Sequence, residues 1–175
     1  MKSESATFRI DSKALKSLRH EAGQKDISTN TLVNQIIKDH LNWHSNAAKA
    51  GFIAVRRPLI SKLINNLSEQ EIISLAEYVA KAANKDVILL MESEYTIKSV
   101  LDFLEYWVKI SGYAYRHEET NNGQNKHSYV IQHDMGKKWS IYLASLYQFL
   151  FDELEVNIQI EFYKTENTLA FMIDV

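Results

Sequence analysis

The sequence predicts an α+β protein with a small N-terminal head, a helical connector and a larger C-terminal body. Residues 6–11 alternate apolar and polar side chains with a period of two, and two runs of helical periodicity follow. Further helical stripes begin at Pro58, and from Asp86 onward strand-like and helix-like segments are mixed. We therefore predict three parts: residues 1–50, a connector over residues 51–85, and a body over residues 86–175.

The composition narrows the class of protein before any motif is considered. The chain has 175 residues, is 46% hydrophobic and 24% charged, and contains no cysteine. This profile is typical of a folded chain, and it excludes a disulfide framework, a thiolate zinc site and a cysteine nucleophile. The longest apolar runs, such as 87–91, are far too short to cross a bilayer, and no signal-peptide pattern opens the sequence. We expect a cytoplasmic protein without a membrane partner.

The charges are divided unevenly along the chain. Residues 1–50 carry eight Lys and Arg against five Asp and Glu, a net charge of +3, whereas the remainder carries twelve against seventeen, a net charge of −5. A basic head on an acidic body favours an anionic partner for the head.

The head has the order strand, helix, turn, helix. In the predicted strand Phe8 and Ile10 point to one side and Thr7 and Arg9 to the other. Ser12 is a predicted N-cap for a first helix that ends near 23, and Ser28 is the predicted N-cap of a second. The second helix carries one apolar stripe, formed by Leu32, Val33, Ile36, Ile37 and Leu41.

A lone strand cannot pair its backbone, so a second copy of the chain is expected to supply its partner. The stretches Thr7-Phe8-Arg9-Ile10-Asp11-Ser12 and Asp26-Ile27-Ser28-Thr29-Asn30-Thr31-Leu32 resemble the ribbon-helix-helix family of DNA-binding domains, of the Arc, MetJ and CopG type. The resemblance covers roughly residues 5–44. It implies a homodimer whose two strands form an antiparallel ribbon in the major groove of double-stranded DNA.

The resemblance also implies which residues contact DNA. The outward strand positions Ser5, Thr7 and Arg9 would face base edges, with Arg9 suited to a bidentate contact to guanine. Residues at the start of the second helix would hold a phosphate, and two lysines would add nonspecific attraction to the backbone. These further positions are Ser28, Thr29, Asn30, Lys2 and Lys13.

Sequence patterns also predict the secondary structure of the connector and of the body. Pro58 suits the first turn of a helix, and Ser68 with Glu71 forms a capping-box pattern at the start of the next. In the body we predict the order β-α-β-β-α-β-β, beginning with a buried strand at 87–91 and containing a hairpin around 121–123. This order resembles a ferredoxin-like plan with one extra strand. The combination resembles the nickel-responsive regulators in architecture only, and it makes the body a candidate sensor of a small-molecule effector or a further oligomerisation domain.

Histidines raise the question of a metal site. His117 and His127 are expected almost opposite one another in the hairpin, but His133 lies too far along the strand to join them. His40 and His44 share a helix face without an evident third ligand. Hairpin-tip and exposed polar residues explain these positions better, so we predict no metal and no cofactor.

No pattern of enzymatic chemistry stands out. His133 and Asp134 precede Ser140, but a helix N-cap at Asp134 explains the pair more simply than catalysis. The five glycines are scattered and form no phosphate-binding loop. We expect a protein that is not an enzyme.

The hypothesis from the sequence is thus a homodimeric, sequence-specific transcriptional regulator, with higher oligomers as one form of assembly on DNA. The alternative is a protein-interaction or antitoxin-like module that uses the ribbon-helix-helix unit only to dimerise.

Overall fold

The computed structural model describes residues 4–121, 125–154, 156 and 158–174, and it combines α-helices with an antiparallel sheet, as the α+β class predicts. The chain divides into two compact units, Met1–Ala47 and Ala48–Val175. The division falls within a few residues of the predicted end of the head. The segment 51–85 lies in the second unit.

The first unit is helical after residue 11. Helix α1 spans Ser12–Gln24, and α2 spans Thr29–Asp39. A π-helical segment, His40–His44, and a short helix α3, Ser45–Ala47, continue α2. The helical backbone that begins at Thr29 therefore extends to Ala47.

The start of α1 corrects the predicted N-cap. Asp11, rather than Ser12, is the N-cap, and its carboxylate accepts hydrogen bonds from the backbone N–H groups of Lys13 and Ala14 at 2.9 and 3.1 Å. An aspartate satisfies free N–H groups at a helix start as well as a serine does, so either residue of the pair fits the pattern. The predicted cap of α2 at Ser28 is confirmed.

Five helical segments open the second unit. Helix α4 spans Arg57–Asn65, α5 spans Glu69–Val79, α6 spans Lys85–Glu92 and α7 spans Ile97–Ile110, with a π-helical segment, Ala80–Asn84, between α5 and α6. Pro58 lies in the first turn of α4, as predicted. The capping box is also confirmed, because the Ser68 N–H donates to the Glu71 carboxylate at 2.7 Å and the Glu71 N–H to Ser68 Oγ at 3.3 Å.

The predicted strand at 87–91 is wrong, because these residues lie inside α6. Val87 and Ile88 are buried, whereas Leu89 and Leu90 are exposed. A short apolar run does not distinguish a buried strand from a buried helical segment. The preceding helix continues through the alanine-rich Ala80–Asn84, and this continuation decides the outcome. The predicted β-α-β-β-α-β-β order of the body therefore loses its first strand.

The four strands of the second unit form one antiparallel sheet. They are β1 (Ala114–Asn121), β2 (Asn125–Gln132), β3 (Gln159–Lys164) and β4 (Thr168–Asp174), in the spatial order β1-β2-β4-β3. The hairpin of β1 and β2 is confirmed, but most of its predicted turn lies outside the described residues. Strand β3 begins later than predicted, since Val156 and Ile158 precede it.

Helix α8, Lys137–Asp152, carries most of the core of this unit. Its buried residues include Leu143, Tyr147 and Leu150, none of which has exposed surface. On β4 the alternating residues Leu169 and Ile173 are also fully buried, as the period-two pattern predicted. Helix α8 contacts both β3 and β4, so the core lies between this helix and one face of the sheet.

The prediction that Asp134 caps α8 is wrong. Gly136 is the N-cap, with a φ of +92°, and Asp134 has a φ of +54°. The Gly136 N–H donates to the Asn167 side chain at 3.1 Å. Positive φ angles at Asp134 and Gly136, with Met135 between them, turn the chain from β2 into α8, and the φ of Gly136 suits a residue that has no Cβ.

Candidate nucleic-acid interface

The predicted base-reading residues lie on the surface of the first unit. Ser5, Thr7 and Arg9 are all exposed in a segment, residues 4–10, that has no regular secondary structure in the single chain. The strand predicted at residues 6–11 is therefore absent from the single chain, and its pairing with a second copy stays a prediction. Lys2 lies outside the described residues.

The apolar side of the same segment is also exposed. The side chain of Phe8 is 68% exposed and that of Ile10 is 42% exposed. Three apolar residues on the second helix and its extension share this exposure: Ile36, Ile37 and Leu41, at 45%, 43% and 62%. Leu32, one turn earlier, is buried. Three of the five residues of the predicted apolar stripe are thus exposed in the single chain.

The predicted phosphate site lies at the start of α2. Ser28 Oγ accepts a hydrogen bond from the Thr31 N–H at 3.0 Å and lies 2.8 Å from Thr31 Oγ1. Thr29 is half-buried and Asn30 is exposed, and the Asn30 carbonyl accepts from the Asn34 side chain at 2.9 Å. The first N–H groups of a helix have no partner within the helix, so this end can receive an anion next to Ser28 and Thr29. Lys13 is exposed in the first turn of α1.

His133 and Ser140 form a buried network in the second unit. Both side chains have no exposed surface, and His133 Nε2 lies 2.8 Å from Ser140 Oγ. The Met135 N–H donates to His133 Nδ1 at 3.2 Å, so the ring proton is on Nε2. Nε2 therefore donates to Ser140, whose hydroxyl in turn donates to the Thr165 carbonyl at 2.8 Å.

This polarity is the opposite of what nucleophile activation needs. A general base must accept the serine proton, whereas His133 Nε2 already carries a proton and the serine proton is directed at a backbone carbonyl. The network instead joins the end of β2, the first turn of α8 and the turn before β4. It stabilises this corner of the fold.

We expect the stability of the protein to depend on pH through His133. Burial lowers the pKa of His133, and the neighbouring Asp134 carboxylate opposes this effect only in part. The unfolded chain then binds a proton in the ordinary histidine range, near pH 6.5, that the folded chain does not. The free energy of unfolding should be highest above this range and fall as the pH drops through it, by at most about 1.4 kcal/mol per pH unit. Urea titrations of the full chain across this range measure the slope.

The matched variant for this measurement is His133→Gln, which keeps a polar side chain but cannot titrate. It should be less stable throughout, and its free energy of unfolding should change less with pH than that of the unaltered protein. An identical slope in the two proteins would contradict the role of His133.

His117 and His127, predicted almost opposite one another, come together on the sheet as diagonal neighbours. In the register His117 pairs with Tyr129, and His127 pairs with Glu119. The two imidazoles are diagonal neighbours, and His117 Nε2 lies 3.0 Å from His127 Nδ1. The His117 ring also stacks on Tyr129, with centroids 4.2 Å apart. Within the described part of the chain, no three His, Asp or Glu side chains are placed to hold a metal ion.

The contacts of Arg57 were not predicted from the sequence. Arg57 donates through one nitrogen of its guanidinium to the carbonyls of Ser111 and Gly112, both at 2.6 Å, and it lies over the Tyr113 ring at 4.8 Å. More than fifty residues separate Arg57 from this turn, so no local pattern could have indicated the contact.

No helix among the described residues combines the length and the apolar character needed to span a bilayer.

Comparisons with protein-family models, with curated proteins and with solved structures find no match to this chain.

Proposed function

We propose that this protein is a homodimeric ribbon-helix-helix DNA-binding regulator, in which residues 6–11 of two copies pair as an antiparallel ribbon in the major groove. The observation that carries the proposal is the exposure of Phe8 and Ile10 beside polar, outward-facing Thr7 and Arg9. A segment that alternates in this way has one apolar side and one polar side. A second strand would pair its backbone groups and help to cover the apolar side, while the polar side would face the DNA.

The apolar surface of the first unit supports the dimer. Ile36, Ile37 and Leu41 are about half exposed on the helix that would face the partner. Large apolar side chains gathered on a unit of this size are typical of an interface rather than of a solvated surface. Pairing of the two strands into one ribbon would bury the apolar side of each strand together with the apolar stripe of the helix.

The start of α2 supports a role in positioning the ribbon on DNA. Ser28 caps the helix, and Thr29 and Asn30 follow in its first turn next to free backbone N–H groups. A phosphate held there would set the register of the protein on the duplex, whereas Arg9 and Thr7 would read base edges. The second unit would then assemble dimers further or sense a signal.

The antitoxin-like alternative is less favoured by the second unit. An antitoxin tail that folds on its partner is short of apolar residues to bury. The second unit instead has a core of its own between α8 and the sheet, including Leu143, Leu150 and Leu169 without exposed surface.

Replacement of Arg9 tests the proposal. The full-length protein is first incubated with a randomised DNA duplex pool at two salt concentrations, and the retained sequences are read to define an operator. Arg9→Ala should then weaken operator binding by about 1–3 kcal/mol and relax the preference at one base pair of each half-site. Fluorescence anisotropy gives the affinity, and a repeat of the selection gives the preference.

Arg19→Ala is the matched control, because it removes the same charge from the exposed surface of α1. It should lower affinity slightly and equally for all sequences, through lost phosphate attraction alone. The proposal fails if no sequence is enriched, or if Arg9→Ala leaves the selected sequence and the affinity for it unchanged.

A further inference from the structure

A cleft in the second unit brings aromatic side chains and Arg57 together. It has a volume of about 170 Å³. The residues that line it are Val55, Arg57, Ile60, Trp107, Ser111, Tyr113, Met135 and Trp139. Trp139 and Tyr113 are buried, and Trp107 is half-buried with its ring edge-on to Tyr113 at a centroid distance of 5.9 Å. Three of the eight lining residues are therefore aromatic, and aromatic side chains are common in pockets that bind flat ligands.

The polar groups of the cleft favour an anion. No Asp or Glu is among the residues that line it. Arg57 uses one terminal nitrogen for the carbonyls of Ser111 and Gly112, and within the described residues no carboxylate lies at salt-bridge distance from it. Burial raises the pKa of Tyr113, and the positive charge of Arg57 opposes this effect. A guanidinium with N–H donors left over and no acidic partner is suited to a carboxylate ligand.

Trp139, one of the lining residues, has a buried indole N–H. The buried indole N–H of Trp139 makes no well-formed hydrogen bond to any described residue, although it is close enough to the Tyr113 hydroxyl to influence its pKa. Buried donors without an acceptor are rare and are often satisfied by a water or a ligand.

We propose that this cleft binds a small aromatic carboxylate, with the ring between the aromatic walls and the carboxylate on Arg57. The volume sets the size of the ligand, since pockets for drug-sized molecules have volumes of about 300 Å³ or more and this cleft holds about one ring. Binding does not depend on the proposed DNA-binding function, so the two proposals succeed or fail separately.

The contacts of Arg57 hold its guanidinium at the turn that includes Ser111, one of the residues that line the cleft. Since Arg57 is fixed to the turn at Ser111 and Gly112, its charge is held in position before any ligand arrives. A side chain that is already ordered loses less conformational entropy on binding. The guanidinium would therefore bind a carboxylate in one preferred orientation.

The test is a titration of the full-length protein with benzoate, followed by the indole N–H signals in a proton–nitrogen correlation NMR spectrum. The chain has three tryptophans, and two of them line the cleft. The signals of Trp107 and Trp139 should shift and saturate, whereas that of Trp43, in the first unit, should not. Trp107→Phe assigns the signals. Benzamide, which has the same shape without the charge, should bind at least tenfold more weakly.

Arg57→Gln should weaken benzoate binding at least tenfold and leave the affinity for benzamide nearly unchanged. Arg56→Gln is the matched control, because Arg56 is the exposed neighbour that does not line the cleft, and it should change neither affinity. The proposal is overturned if benzoate shifts neither indole signal, or if benzamide binds as well as benzoate. It is also overturned if Arg57→Gln lowers both affinities equally or if Arg56→Gln has the same effect.

Discussion

A charged residue in the apolar surface of the first unit should convert the protein to a monomer and abolish its binding to DNA. Leu41, with a side chain 62% exposed, is the position of choice, because Leu41→Asp removes no contact from the core of the single chain. In the proposed dimer the leucine of each copy is covered, and burying such a side chain is worth about 1.5–3 kcal/mol. Two copies of Leu41→Asp should therefore weaken dimerisation by about 3 kcal/mol or more, a factor of at least about one hundred.

Analytical ultracentrifugation over a range of protein concentrations measures this effect, and anisotropy with the selected operator measures the consequence. Ile53→Asp is the control, since Ile53 is 82% exposed but belongs to the second unit. The control should retain both dimerisation and DNA binding. The ribbon-helix-helix dimer is refuted if Leu41→Asp keeps the mass of a dimer and binds the operator as before.

Removal of the His133 side chain should have the largest effect on stability. His133→Ala takes away the acceptor of the buried Met135 N–H and the donor to Ser140 Oγ, and it leaves a cavity at a position with no exposed surface. An unsatisfied buried group costs about 1–3 kcal/mol, and the cavity adds to this cost. We expect the free energy of unfolding to fall by about 3–5 kcal/mol.

Chemical denaturation followed by circular dichroism tests this expectation, with Lys137→Ala, an exposed position of α8, as the control that should change little. A double-mutant cycle with Ser140→Ala isolates the hydrogen bond between the two side chains. The cycle should give a coupling energy of about 1 kcal/mol. A loss below about 1 kcal/mol in His133→Ala would show that the network does not stabilise this corner of the fold.

Local sequence signals predicted the elements whose reasons are themselves local. Ser28 caps the second helix, Ser68 and Glu71 form a capping box, and Pro58 lies in the first turn of a helix. Each of these features depends only on residues within about one helical turn. The alternating residues of β4 are buried as predicted, since a period of two gives a strand only one apolar face. The hairpin of β1 and β2 follows from the same rule.

The errors occurred where distant residues decide the structure. The apolar run 87–91 suits either a strand or a helix, and it is helical because the chain continues the preceding helix and packs Val87 and Ile88 inside. The cap of α8 moved from Asp134 to Gly136, where the side chain of Asn167, from the turn between β3 and β4, receives the Gly136 N–H. No pattern around residue 134 contains that partner.

The sequence by itself determined the helices of the first unit, the caps at Ser28 and Ser68, and the hairpin, because periodicity and caps act over a few residues. Only the tertiary structure decided that His133 donates to Ser140 and Ser140 to the Thr165 carbonyl, and that Arg57 donates to the carbonyls of Ser111 and Gly112. These arrangements join residues that lie on different elements, and their side chains are held by packing rather than by the spacing of residues along the chain.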